Sequence, residues 1–295
     1  MISTEAVSTL TQVSVQTKLA ELERGKLKLH IPLQRDLMKA LPKTHFHLFP
    51  ELFIQLSGIT DFKFPREKIR VLPGDVCIVP RGVPHAETGY DLNKPFQNII
   101  LLENKNTLCF HTAKRRSDGL PIIDAMAQAQ HPWIHRTWQY LDDIVEIYHS
   151  KMAEHKRMLH GLLTTFLSSL LNILSNPPTP HSQEPIKIIQ ARQWVLTHLS
   201  DPDLSVQSIA RRIQCAPDYL SHIFHKTTGI PLVRFINEHR IEHAINLLEN
   251  STMNFKEIAM AVGYEDPSYF TRIFRQTTGS SPREHQKSLK KRFTN

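Results

Sequence analysis

The sequence predicts an α+β protein: an N-terminal antiparallel β-barrel followed by helices, then an all-α domain with two helix-turn-helix units. Three observations carry this. Short apolar runs between glycine turns fill residues 48–102, a proline-rich break stands at Asn176–Pro185, and a stretch of 12 residues beyond it occurs twice. A length of 295 residues suits two domains at roughly 150 residues each.

Composition sets the class. With 40% apolar and 22% charged residues, the chain has ordinary globular content, which excludes a disordered tail, a collagen-like fibre and a disulfide-stapled peptide. No uninterrupted apolar run reaches the roughly 18 residues of a membrane span. Met1-Ile2-Ser3-Thr4-Glu5 lacks the basic start and apolar stretch of a signal peptide. Cys77, Cys109 and Cys215 are odd in number and far apart, so reduced thiols and a cytoplasmic setting are expected. The net charge of +8 is compatible with nucleic acid as a partner.

An antiparallel barrel or sandwich is expected within residues 1–130. Leu52–Leu56, Val76–Val79 and Asn98–Leu102 read as strands, and Gly58, Pro73-Gly74, Arg81-Gly82 and Gly89 as turns between them. Residues 1 to about 40 mix helical and strand-like patterns and carry no functional assignment. Residues 131–175 form the next segment. Trp138, Leu141, Ile144, Val145 and Tyr148 recur at helical spacing, as do Leu159, Leu162, Leu163, Phe166, Leu167, Leu170 and Leu171. The second helix is so rich in leucine that it must be covered, either by the barrel or by a second copy of the chain.

Residues 176–185 form the linker, where four prolines in ten residues stop any helix. Residues 186–295 contain the duplication. Asp218–Gly229 recurs as Ser268–Gly279, and Ser208-Ile209-Ala210 corresponds to Glu257-Ile258-Ala259. Each copy reads as helix, tight turn, helix. Pro217 and Pro267 suit a first helical position, and Gly229 and Gly279 suit a left-handed cap. The apolar positions Tyr219, Leu220, Ile223 and Phe224 are expected to face inward, with Tyr269, Phe270, Ile273 and Phe274 as their counterparts. Asp218, Ser221, His222 and His225 face outward, as do Ser268, Thr271, Arg272 and Arg275. Between the copies, Leu232–Glu249 is helical by the pattern Phe235, Ile236, Arg240, Ile241, Ala244, Leu247, Leu248. At 1.5 Å per residue this rod is about 27 Å long, enough to hold two recognition helices roughly one DNA turn apart.

The stretch Ile258–Pro282 resembles the signature of the AraC-type transcription regulators, and the resemblance covers about the last hundred residues. It implies a sequence-specific DNA-binding regulator rather than an enzyme. By it, Asp218, Ser221, His222, Pro267, Ser268, Thr271 and Arg272 would read base edges, and Lys226 and Arg275 would meet phosphates. Arg272 is the strongest reader, because a guanidinium can bond both acceptors of a guanine edge. The run Lys287, Lys290, Lys291 and Arg292 suits either phosphates or a solvated end. His285-Gln286 stands where the family usually has Tyr-Arg. The implied partners are double-stranded DNA, a small-molecule effector such as a sugar, a second copy of the chain, and RNA polymerase if the regulator activates.

The segment Thr44–Gly89 resembles the two cupin motifs: His45, His47 and Glu51 with Gly58, then Gly74, Pro80, Gly82 and His85. Lys39 and Gly89 stand where that pattern has glycine and asparagine. Three imidazoles and a carboxylate suit a divalent transition metal; the alternative for the same four residues is the lining of an effector pocket. Arg81 and Glu87 flank the same turn, as its mouth or as surface charge. A metal site would open a second reading, a metal-dependent cupin enzyme or a metal sensor fused to a DNA-binding tail.

Overall fold

The computed structural model of the chain describes residues 4–34, 44–47, 49–89, 96–104, 107–115, 121–175, 185–250 and 253–292. Lys39 and the linker prolines Pro177, Pro178 and Pro180 lie outside them. Two compact units result: Met1–Leu37 with His47–Gln183, and Met38–Phe46 with Glu184–Asn295.

The first unit runs α1 (Thr4–Glu23), β1 (Leu29–His30), β2 (Glu51–Ser57), β3 (Thr60–Lys63), β4 (Lys68–Val71), β5 (Val76–Val79), β6 (Ala86–Gly89), β7 (Gln97–Asn104), β8 (Thr107–Arg115), β9 (Pro121–Gln130), α2 (Ile134–Tyr148) and α3 (His155–Ser175). Its strands form a six-stranded sheet, ordered β1-β5-β2-β7-β8-β9, and a three-stranded sheet, β4-β3-β6. The expected barrel-like unit is present, built among the described residues as two sheets and not as one closed ring. Closure needs a ladder that continues around the ring, whereas β3, β4 and β6 pair among themselves. Strand β1 pairs with β5 in parallel.

Alternation along the strands separates two cores. Leu52, Ile54, Val76, Ile78, Ile99, Leu101, Leu108 and Phe110 face the helices. Phe53, Cys77, Val79, Ile100, Leu102 and Cys109 face the smaller sheet, with Phe62, Phe64 and Val71. Helix α3 is long and apolar enough to cross a membrane by length and composition. It is a core helix here: Leu163, Phe166, Leu167, Leu170, Ile173 and Leu174 are buried in the helix-side core, against α1 and α2. Leu159, Leu162 and Leu171 are only partly buried.

The second unit comprises α4 (Ile186–Thr197), α5 (Val206–Arg212), α6 (Pro217–Thr228), α7 (Leu232–Asn250), α8 (Phe255–Ala261), α9 (Pro267–Thr278) and α10 (Pro282–Arg292). It holds two small cores, one per helix-turn-helix. Helix α7 gives Leu232 and Ile236 to the first and Ile241, Ala244, Leu247 and Leu248 to the second. Two inward assignments are corrected. Tyr219 and Tyr269 are exposed, and the buried stripe is Leu220 and Phe224 in α6 and Phe270, Ile273 and Phe274 in α9. Each tyrosine lies a residue before the stripe, about 100° around the helix, which carries it out of the core.

Candidate nucleic-acid interface and interior polar site

Local chemistry fixes where each recognition helix starts and stops. Helix α5 begins at a capping box between Ser205 and Ser208, and α8 at one between Asn254 and Glu257. Pro217 and Pro267 open α6 and α9, and the Asp266 carboxylate accepts from the Ser268 amide at 2.8 Å. Gly229 and Gly279 end the two helices in the left-handed conformation, at φ 76° and 81°.

The outer faces carry the expected residues. Asp218, Ser221, His222, His225 and Lys226 are exposed on α6, and Ser268, Thr271, Arg272 and Arg275 on α9, with Pro267 half-buried. Thr271 donates to the carbonyl of Pro267 at 2.8 Å. The Arg272 guanidinium lies 4.9 Å from the centre of the Tyr269 ring, in cation–π contact. The exposed tyrosine thus supports the arginine, a role hidden by its apolar character in the sequence. His285, where tyrosine is usual, packs edge-on against Phe274 at 5.7 Å and takes up an aromatic's packing role. The side chains of Lys290, Lys291 and Arg292 lie outside the described residues.

In the first unit, His47, Glu51 and His85 come together. His47 Nε2 stands 3.1 Å and His85 Nε2 3.6 Å from the same carboxylate oxygen, Glu51 Oε2. The His85 Nδ1–H donates to the Val83 carbonyl at 3.0 Å, which directs Nε2 at the carboxylate. His85 is fully buried and packs beside Phe62 and Phe64, so the group faces the space between the sheets. Burial pushes the Glu51 carboxyl up, but the charge and hydrogen bond of His47, with those of His85, outweigh it and hold it well below the usual range. Burial pushes His85 down, and its bond to Glu51 more than compensates, so its pKa is raised. His45 belongs to the other unit, where its ring stacks on His198 at 5.3 Å.

Three further groups in this unit were missed or misjudged from the sequence. Glu87 is in register with Phe62 on the inner face. Burial raises its carboxyl to about 7, with His85 opposing and Glu51 assisting. It is not surface charge; Arg81 is, paired with Asp142 on α2. His111 is in register with Ile100, and burial lowers its pKa to about 4 against the pull of Glu51. Asn98 is fully buried. Among the described residues, Glu87 Oε2, His111 Nδ1 and both amide atoms of Asn98 have no hydrogen-bond partner. A buried polar atom without a partner costs about 1–3 kcal/mol. Strand alternation, which assigns Glu87, Asn98 and His111 to the inner face, was the available signal.

Residues 191–288 match the model of a helix-turn-helix domain. The chain is 38% identical to the HTH-type transcriptional regulator YijO of Escherichia coli (strain K12), over 83% of this chain and 84% of that protein. It is 33% identical to the arabinose operon regulatory protein of the same organism over 98 residues, 33% of this chain and 34% of that one. Among solved structures, the C-terminal domain of AraT, a response regulator from Geobacillus stearothermophilus, is 31% identical, with a TM-score of 0.36 over 36% of this chain and 88% of that domain.

Proposed function

We propose, from the premise that this chain belongs to the AraC-type helix-turn-helix transcription regulators, that α6 and α9 read successive major grooves while the two-sheet unit senses a small polar ligand. The observation that supports the first half is the pair of exposed polar faces at matched positions on capped helices. Arg272 would bond a guanine edge, His222 would donate once at the corresponding place, and Asp218, Ser221, Pro267, Ser268 and Thr271 would line the same groove walls. Lys226 and Arg275 would sit over phosphates and fix register.

The inner face supports the second half. Its unpartnered buried groups on Glu87, Asn98 and His111 suit a ligand that both donates and accepts, such as a sugar or small acid. A divalent transition metal is the second reading, favoured by one observation: two imidazole Nε2 atoms converge on one carboxylate oxygen. The residues fit such an ion. The lone pairs would come from His47 and His85 with Glu51 as the third ligand, and the Nδ1–H of His85 on a backbone carbonyl is the outer bond that ligating histidines make. Ligand would act through its differential affinity for two arrangements of sensor and DNA-binding unit. That requires saturable binding and no turnover.

A homodimer in the cytoplasm completes the reading, with Leu159, Leu162 and Leu171 supplying apolar surface for the second copy. RNA polymerase becomes a partner if the regulator activates. The test is the metal content of untagged protein purified without chelator, beside His47→Ala. Stoichiometric metal lost in the variant selects the metal reading. Metal-free protein that is thermally stabilised by sugars or small acids selects the effector pocket. Metal-free protein that responds to neither class of compound rejects the sensor assignment.

A further inference from the structure

The second unit contains a buried cation on the helix that joins the two helix-turn-helix units. Arg240, in the middle of α7, is 6% exposed. Its Nε–H donates to the Leu199 carbonyl at 3.0 Å and an Nη–H to the Asp201 carbonyl at 2.6 Å, both in the segment between α4 and α5. Its guanidinium also lies 5.1 Å from the centre of the Tyr264 ring, which belongs to the second helix-turn-helix core. Tyr264 Oη–H donates to Asn237 Oδ1 on α7, and its ring packs 5.9 Å from Tyr269, the residue under Arg272.

The turns of the two copies show that this contact is specific. Gln214 holds the turn of the first copy at φ 57°, so the turn itself accepts a side chain. The second copy has Gly263 at φ 83° in the same place. A Cβ there would stand 2.5 Å from the Leu199 carbonyl oxygen and 2.6 Å from the Arg240 guanidinium. Glycine is needed because the backbone of the first copy and the arginine press against the second copy's turn.

We propose that Arg240 is a positioning residue that locks one helix-turn-helix against the other and so sets the distance and rotation between the two recognition helices. A single helix of 19 residues alone could twist or bend between two small cores. The guanidinium ties the first copy's segment, the connecting helix and the second copy's turn at one point. Its planar fork can serve two carbonyls and a ring together, which a lysine cannot. The lock acts on DNA by making affinity depend on the spacing between the two groove segments.

The inference rests on the reading that α6 and α9 both enter DNA. The experiment uses the full chain and a duplex enriched from random sequence by the wild type, then remade with one base pair added or removed between its two protected segments. Each base pair turns the second segment by about 35°. Wild type is expected to bind the altered spacings at least tenfold more weakly. Arg240→Met is expected to bind the original duplex about tenfold more weakly and to differ less than threefold among the spacings. Arg240→Lys should fall between them. Global destabilisation lowers binding equally at every spacing and leaves the profile unchanged. A wild-type profile in Arg240→Met overturns the lock, as does loss of cooperative melting in both variants, because Arg240 would then hold each core together. His222→Ala and Arg272→Ala separate the two failures. If either keeps full base discrimination, the two-groove reading falls; if both lose it while the profile stays sharp, only the lock falls.

Discussion

The indole Nε1–H of Trp138 donates to the carbonyl oxygen of Pro50 at 2.9 Å. The ring is 1% exposed and packs against Phe166. This bond ties α2 to the residue before Glu51, so the helix layer fixes where the first carboxylate of the inner site begins. Trp138→Phe is expected to cost about 1–2 kcal/mol, from the lost bond and the stranded carbonyl. Trp138→Ala should cost about 3–5 kcal/mol through the cavity it leaves. Urea melts of the two variants check the ratio.

Arg272→Ala is expected to lose discrimination at one base position at a cost of about 1–3 kcal/mol, with binding to unrelated duplex little changed. Arg275→Ala should weaken binding to all duplexes alike and lower the salt slope by about one. Titrations of single-base variants at several salt concentrations separate the two. An Arg272→Ala protein as selective as wild type would remove that residue from base readout.

His111 gives a pH dependence with a definite sign. Its folded pKa of about 4 lies below the ordinary value of 6.5, so its neutral form is favoured in the fold. That stability is fully present above pH 6.5 and is lost as pH falls toward 4, because the unfolded chain then binds a proton that the fold refuses. The full loss is about 3 kcal/mol at 1.36 kcal/mol per pKa unit. His111→Gln should therefore lose less stability than wild type between pH 6.5 and 4, as read by denaturant midpoints at fixed pH values. Parallel midpoint curves would show that His111 does not titrate in the window.

The two turns predict responses of opposite sign to opposite changes at matched left-handed positions. Gln214→Gly should stabilise the chain by up to about 1 kcal/mol, since a left-handed residue with a side chain is strained. Gly263→Ala should destabilise it by more than that, adding steric overlap with Leu199 and Arg240 to the same strain. Thermal melts of the two variants are sufficient.

Local pattern determined much of this protein. The duplication, Pro217 and Pro267 at helix starts, Gly229 and Gly279 at helix ends, and the outward faces of α6 and α9 were all legible, because caps and 3.6-residue periodicity act within a few residues. The strands β2, β5 and β7 were legible because short apolar runs bounded by turn residues are equally local signals. Tertiary structure decided what depends on partners distant in sequence. The division of the strands is one case, since among the described residues β3, β4 and β6 pair with one another. The position of Tyr269 is another: an aromatic one residue off the stripe reads as core until the neighbouring Arg272 is seen over it. Glu87 and His111 became inner-face groups only when register brought them opposite Phe62 and Ile100. Arg240 stood in the apolar pattern of α7 without explanation, because its reason lies in two carbonyls some forty residues upstream. Periodicity records that a position is buried; only the assembled fold shows which charge, carbonyl or ring it is buried against.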